Sequence, residues 1–245
     1  MKVKNKKCIR NLSFKTLKIY KKRNIIAISA IALTALLFTS VFTIFFSINA
    51  TYQNHSFRQI GSYAHGSFKN INESQITSIL KHPKIKDFGV VSTIGIIQDG
   101  VFLKNNAEVK YMDENMAKWS FCLPEKGFLP QKINEIALDT KTLDMLGVPH
   151  KIGEKVKIHF QLNTQEGLVE EFIDAEFILS GYWDYDNLVP IHFVLISKDY
   201  LKEIETEIIE EGFTAFRMDL NVMLNSSLNI RKTMERVESD LGFQF

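Results

Sequence analysis

Residues Ile25 to Ile48 form a run of 24 without a charge, a proline or a glycine, and the segment Met1 to Asn24 before it carries ten Lys or Arg and no Asp or Glu. As a helix the run is roughly 36 Å long, enough to cross a hydrocarbon core of about 30 Å with some tilt. Fourteen of its residues are Ile, Leu, Val or Phe. At about −0.3 to −0.6 kcal/mol each, they make insertion favourable despite the Ser and Thr among them. A cleaved secretory signal has an apolar core of only about 7–15 residues ending in small residues. This run is longer, and Ile48-Asn49-Ala50 is a poor cleavage site. A helix packed on the core of a soluble protein ordinarily keeps a polar face, and here the apolar residues go all the way round. Residues 25–48 are therefore expected to span the plasma membrane. The basic segment 1–24 is expected in the cytoplasm and everything after about residue 50 outside.

Two features go beyond anchoring. Ala32, Ala35, Thr39, Thr43 and Ser47 recur every three or four residues and share one helix face, while Leu37, Val41, Ile44 and Ile48 occupy the far side. Small residues at this spacing let a second membrane helix approach closely, since packing holds helices together in lipid. Ala, Ser and Thr are also common in membrane helices of any kind. In the tail, Leu12, Phe14, Leu17, Ile19 and Tyr20 are interspersed with Lys15, Lys18, Lys21, Lys22 and Arg23. That pattern suits either a short helix lying on the inner leaflet or an irregular topology signal. Anionic lipid, rather than nucleic acid, is the partner expected for this charge.

Without its ten tail cations the chain has 20 Lys or Arg against 28 Asp or Glu, a net −8. About 195 residues follow the span, enough for one large or two small domains. Cys8 and Cys122 fall on opposite sides of the membrane, so they cannot pair with each other and cannot build a four-cysteine zinc site. The external region opens as strand, helix and strand (62–70, 72–82, 87–97). A hairpin turn is expected at Asp99-Gly100. The region closes with a helix at 198–211, a strand at 213–224 and a helix at 229–241. The middle is mostly β. The expected fold is α+β: a transmembrane helix, then an α/β sandwich from 49–112 and 201–245, with a β-rich subdomain, 113–200, inserted. Val156, Ile158, Phe160 and Ile136 are expected in one core, and Phe216, Leu220 and Val222 in another.

No spacing of catalytic residues stands out. His55, His65, His82, His150, His159 and His192 form no His-Glu-x-x-His pair, and there is no Gly-x-Ser-x-Gly or phosphate-cradling Gly-rich loop. Tyr182-Trp183-Asp184-Tyr185-Asp186-Asn187 reads as a strand end and exposed turn, or as a ligand lip or cation site. Glu207, Glu210 and Glu211 read as a solvated helix face, or as a cation site. The chain is expected to be no enzyme and to hold no cofactor or metal.

Asn134-Glu135-Ile136-Ala137-Leu138, Leu143 with Leu146-Gly147-Val148, Lys151-Ile152-Gly153-Glu154-Lys155-Val156 and Phe177-Ile178-Leu179-Ser180-Gly181 follow one another in a pattern. The pattern resembles the MacB-type periplasmic core of FtsX-like ABC transporter permeases. In it Gly147 caps a helix, Gly153 makes a tight turn and Gly181 ends a strand. Asn11 to Asn24 resembles the inner-leaflet entry of the same permeases. The resemblance implies a first membrane helix, a large external domain and three further membrane helices, in a dimer driven by a separate ABC ATPase. Motion, rather than a central pore, would then export, extract or sense a peptide- or lipid-like substrate, or activate a cell-wall enzyme. The family's helices two to four have no counterpart up to Phe245, so the chain is expected to be an N-terminal part of such a permease. The competing expectation is a single-pass, membrane-anchored binding or sensory protein without ATP. Sequencing the DNA past codon 245 separates them. Three more apolar spans beside an ATPase gene support the permease; a stop codon with no ATPase nearby supports the single-pass protein.

Overall fold

The computed structural model describes residues 6–98, 100–189 and 191–242. The chain divides into two compact units, Met1–His55 and Ser56–Phe245.

In the first unit, α1 (Lys6–Ile19) is followed by α2 (Lys21–Ile60), whose last residues, from Ser56, belong to the second unit. No residue of α2 is buried, and every large apolar side chain from Ile25 to Ile48 is more than half exposed. Among the described residues α2 alone is long and apolar enough to cross a membrane. It runs past the apolar stretch because residues 49–60 contain no proline or glycine. Gly61 stops it at φ +80°, with its N–H on the Phe57 and Arg58 carbonyls.

The second unit contains β1 (Gly66–Phe68), α3 (Glu73–Leu80), β2 (Ile85–Ile97), β3 (Ala107–Met112), α4 (Glu114–Trp119), β4 (Lys126–Gly127), β5 (Glu135–Asp139), α5 (Thr140–Leu146), β6 (Lys155–Thr164), β7 (Gly167–Trp183), β8 (His192–Ile196), α6 (Lys198–Glu210), β9 (Arg217–Leu224) and α7 (Ile230–Leu241). Local chemistry sets several ends. Asn72 and Gln75 form a reciprocal capping box at α3. Asp113, Asp139 and Ser197 cap α4, α5 and α6 through their side chains. Gly147 ends α5 in the left-handed region at φ +68°.

Among the described residues nine strands make one sheet in the order β1-β9-β2-β3-β8-β5-β7-β4, with β6 joining β7 to β2. The pairs β2–β3, β3–β8, β8–β5, β5–β7, β7–β6 and β6–β2 close a ring. Alternate residues of all its strands meet in one core: Ile94 and Ile97, Val109, Val194 and Ile196, Ile136 and Leu138, Leu179, and Val156 to Leu162 at every second position. Leu143 of α5 and Leu201, Ile204 and Ile208 of α6 join this core. Outside the ring, α3 and α7 cover the β1-β9-β2 wing through Phe68, Ile79, Leu220, Val222, Met234 and Val237. A third cluster, with Met112, Trp119, Cys122, Trp183 and Phe193, packs α4 against the opposite face.

The segments 49–112 with 201–245 and 113–200 thus share one sheet, and the ring core draws on both. Val156, Ile158, Phe160 and Ile136 lie together in that core. Leu220 and Val222 lie in the α3–α7 cluster, but Phe216 does not join them. It precedes β9 and turns into the ring core instead, with its N–H on Glu205 Oε1 of α6 at 3.1 Å. The turn expected at Asp99-Gly100 includes Asp99, which lies outside the described residues. β2 and β3 do pair as a hairpin, but their link is longer, with a 3₁₀ turn at Gly100–Phe102 and Phe102 buried beneath it.

The ring closes over Gly95. A Cβ there would lie 2.4 Å from Phe160 Cδ2 and 2.6 Å from the Gln161 carbonyl oxygen. Gly95 also sits at the shift of the β2–β3 register after Thr93. Gly95→Ala is expected to destabilise the second unit by about 1–3 kcal/mol, and Gly95→Val by more, because the backbone of β6 must retreat. Urea unfolding of the detergent-solubilised chain measures this; an unchanged midpoint would mean that the strands do not approach so closely.

Candidate functional site

The residues singled out in the sequence fall into four places. Ala32, Ala35, Thr39, Thr43 and Ser47 are all exposed along one side of α2. The Thr39 hydroxyl donates to the Ala35 carbonyl at 2.7 Å and the Thr43 hydroxyl to the Thr39 carbonyl at 2.8 Å. Their hydroxyls are thereby turned onto their own helix, leaving a face that is small rather than hydrogen-bonding.

The motifs quoted at 134–138, 151–156 and 177–181 meet at one junction of the second unit. β5 runs parallel to β7, pairing Ile136 with Leu179 and Ala137 with Gly181. Gly153 N–H donates to the Leu179 carbonyl and Leu179 N–H to the Glu154 carbonyl, each at 2.8 Å. Ser180 Oγ donates to the Ile136 carbonyl at 3.1 Å. Gly181 does not end a strand. It lies inside β7, where a Cβ would come within 2.5 Å of the Phe128 carbonyl oxygen. Close packing of the 124–128 segment is what requires glycine there.

Beside this junction is a polar cluster that the sequence did not reveal. Asp139, at the end of β5, accepts from Thr142 N–H at 2.8 Å and from the Thr142 hydroxyl at 2.6 Å. His192 Nδ1, from β8, lies 2.9 Å from Asp139 Oδ2 and 3.1 Å from Thr142 Oγ1. All three residues are at most 2% exposed. The same imidazole nitrogen faces both the carboxylate and the hydroxyl, so no relay runs from Asp through His to Thr as a nucleophile's activation demands. The cluster pins β5, α5 and β8 together. Asp139 could be seen as a helix cap before Thr140, but His192 is 53 residues away and gave no signal of its role.

Over His192 the Tyr185 ring stacks at 4.8 Å, and Lys141 Nζ lies 4.4 Å above Tyr185. Tyr185 belongs to the aromatic and acidic stretch after β7. Trp183 of that stretch is buried, whereas Asp184, Tyr185, Asp186 and Asn187 line a groove of about 580 Å³ together with Arg58 and Phe121. Arg58 Nε is 3.2 Å from Asp186 Oδ2, and its guanidinium lies 5.8 Å from the centre of the Phe121 ring. Phe121 has a left-handed backbone at φ +60°, which costs a bulky residue energy, and its ring packs against Tyr63 at a tilt of 46° with centroids 4.7 Å apart. The groove therefore offers charges of both signs beside aromatic rings. Arg58 and Phe121 were not identifiable beforehand, because neither lies in a periodic or charged motif.

A smaller hollow of about 220 Å³ lies on the open face of β2, β3 and β9, with Val91, Thr93, Lys110, Phe193 and Asn221 among its walls. On its rim Asp219 accepts from Lys69 Nζ at 2.9 Å, from Asn70 N–H at 3.0 Å and from Arg217 Nε at 3.0 Å. Glu210 and Glu211 are exposed on and just after α6, and Glu207 faces the half-buried Tyr200. Burial, with Glu207 and Glu203 nearby, pushes the Tyr200 hydroxyl up to about 12. Burial also raises the Cys122 thiol well above its ordinary range, keeping it protonated and unreactive. Among the described residues no group of three His, Cys, Asp or Glu is placed to hold a metal ion.

No protein-family model matches the chain, and no curated protein sequence matches it. Among solved structures it is similar to the extracellular domain of the noncanonic ABC-type transporter YknZ from Gram-positive bacteria. The identity is 9% and the TM-score 0.42, over 73% of this chain and 96% of that one. It is also similar to a domain of a permease protein from Porphyromonas gingivalis, at 10% identity and a TM-score of 0.36, over 74% and 76% of the two chains.

Burial works against the charge on Asp219, but its three donors outweigh burial and hold its pKa below the ordinary 3.8. The stabilisation from this ion pair is therefore complete above the unfolded value and is lost as pH falls through the folded one. Asp219→Ala is expected to cost about 1–2 kcal/mol at pH 7, after allowance for solvent screening, and much less near pH 2. Thermal unfolding across this range measures it, and an equal loss at both ends would exclude the ionised side chain as its source.

Proposed function

We propose that the chain is a membrane subunit of an ABC transporter of the FtsX/MacB type. It would couple ATP hydrolysis on a separate chain to movement of its external domain, and would itself be non-catalytic. The observation that carries this reading is the convergence of the resembling motifs. Residues far apart in sequence, from Asn134 to Gly181, build a single β5–β7 junction with Gly153 at its turn, and Gly147 closes the helix that follows β5. The uncharged run with its basic flank supplies the first membrane helix, N-terminus inside, and the external region supplies a core domain with 113–200 as its β-rich insertion. The small face of Ala32, Ala35, Thr39, Thr43 and Ser47 serves packing against other membrane helices, in the same subunit or its dimer partner. Substrate contact, with a peptide- or lipid-like molecule, belongs to the external domain. The groove around Tyr185 and Asp186, which combines both charges with aromatic rings, also fits a single-pass binding protein.

A tag on the protein as expressed from its own locus separates the two readings. Purification from native membranes in mild detergent is expected to bring down an ABC ATPase in fixed proportion. Recovery without any ATPase, after cross-linking in intact cells, would reject the transporter reading and leave the single-pass binder.

A further inference from the structure

The hollow on the open face of β2, β3 and β9 is built by strand register. Asn221 stands opposite Gly89 of β2 and Ser67 of β1, Val91 opposite Asp219 and Met112, and Thr93 opposite Arg217 and Lys110. Residues directly opposite each other on neighbouring strands point to the same side of a sheet, so these side chains share one face. Phe193 of β8, paired with Glu108, extends it. Helix α4 comes down onto this face at Gly89, where a Cβ would meet the Met116 backbone nitrogen at 2.9 Å. Met116 and Ser120 thereby wall one side of the hollow, which shares no lining residue with the groove at Tyr185.

Its polar groups are not consumed by the fold. Asn221 lines the hollow and is only 8% exposed, and among the described residues nothing hydrogen-bonds its amide. Ser67 Oγ, opposite it in the ladder, is also buried without a partner and does not bond it. Buried polar groups left unpaired are costly and uncommon. Lys110 is 17% exposed along its side chain, pairs with Glu108 and lies 5.2 Å over the Phe193 ring. Its ammonium has three donors, so one ion pair does not exhaust it. The ion pairs around the hollow set three cations, Lys69, Lys110 and Arg217, against two carboxylates, Glu108 and Asp219. One positive charge is left in excess.

We propose that this hollow binds the carboxylate of a small apolar acid, either free or as the C-terminus of a peptide. The Asn221 amide and the Lys110 ammonium donate to the carboxylate oxygens, with the Thr93 hydroxyl beside them, while Val91 and Phe193 receive the apolar body. Hydrogen bonds to an ionised carboxylate are strengthened by its charge, and a monoanion neutralises the excess cation. A phosphate dianion would overshoot that charge beside Asp219 and Glu108, and a cationic ligand would meet Lys110. The volume of about 220 Å³ lies below that of sites for drug-sized ligands and suits a group of about one amino-acid residue. The site uses neither ATP nor a second chain, so it serves a transporter subunit and a single-pass binder alike.

The full chain in lipid nanodiscs is titrated by calorimetry with N-acetyl-leucine, with the peptide Ala-Ala-Leu, and with the same peptide as its C-terminal amide. The two acids are expected to bind roughly tenfold or more tighter than the amide. Asn221→Leu is expected to abolish binding while leaving the thermal midpoint unchanged or raised, because an apolar group replaces an unpaired polar one. Lys110→Gln keeps a hydrogen-bonding partner for Glu108 but removes the charge, and is expected to erase the preference for acid over amide. Tighter binding of the peptide than of N-acetyl-leucine supports the site as one for chain ends; equal binding supports it as one for free acids. Equal affinity for acid and amide overturns the proposal, as does a lack of binding by all three at millimolar concentrations. Acid binding that survives Asn221→Leu overturns it by placing the ligand elsewhere. A lowered midpoint in Asn221→Leu overturns it too, by making the amide a structural group.

Discussion

Strand β2 gives one edge to two partners in succession: β9 as far as Thr93, then β6 from Gly95. Its other edge holds β3 throughout their shared length. This sharing turns an open sheet into a ring with a wing. Before the change of partner, β2 belongs to the layer covered by α3 and α7. After it, Ile94 and Ile97 face the interior of the ring. The change is possible only because β6 comes close enough to pair, which glycine at 95 allows and a side chain would prevent. Closing strands in this way also removes edges that would otherwise be open to pairing with other chains.

The ring has a second fastening in Asp139, Thr142 and His192. Burying such groups is costly unless each finds partners, and here each does. Hydrogen bonds demand particular distances and directions, whereas apolar packing tolerates small slips. The cluster therefore fixes β8 against β5 and α5 in register, next to the junction where the family-like motifs gather. That junction supports the groove through the stack of His192, Tyr185 and Lys141. The cluster thus holds in place the Tyr185 side of the groove.

Much of the second unit was legible in sequence because its signals are local. The helix expected at 72–82 appears as α3, Gly147 closes α5, and Val156, Ile158 and Phe160 share the inward face of β6. The failures have physical causes too. The 62–70 segment alternates weakly, and only Gly66–Phe68 pairs, since β9 offers it three partners. Phe216 continues the alternation of β9 in sequence but precedes the strand itself, so the ring core claims it. Gly181 looked like a strand end because glycine often marks one, yet its reason is the neighbouring Phe128 carbonyl. Arg58, Phe121 and His192 gave no warning, because each acquires its role from residues far away along the chain.

The sequence by itself determined the long apolar helix, its charged flank, the α+β composition and most helix ends. Those depend on composition, spacing and neighbours within one or two turns, which are present before folding. Tertiary structure alone decided that the strands close into a ring at Gly95, that one core unites 49–112 and 201–245 with 113–200, and that a groove forms beside Tyr185. Each of these depends on which distant strands meet. Strand pairing is non-local, and its outcome rests on shape, such as the missing Cβ of one glycine, that no periodicity records.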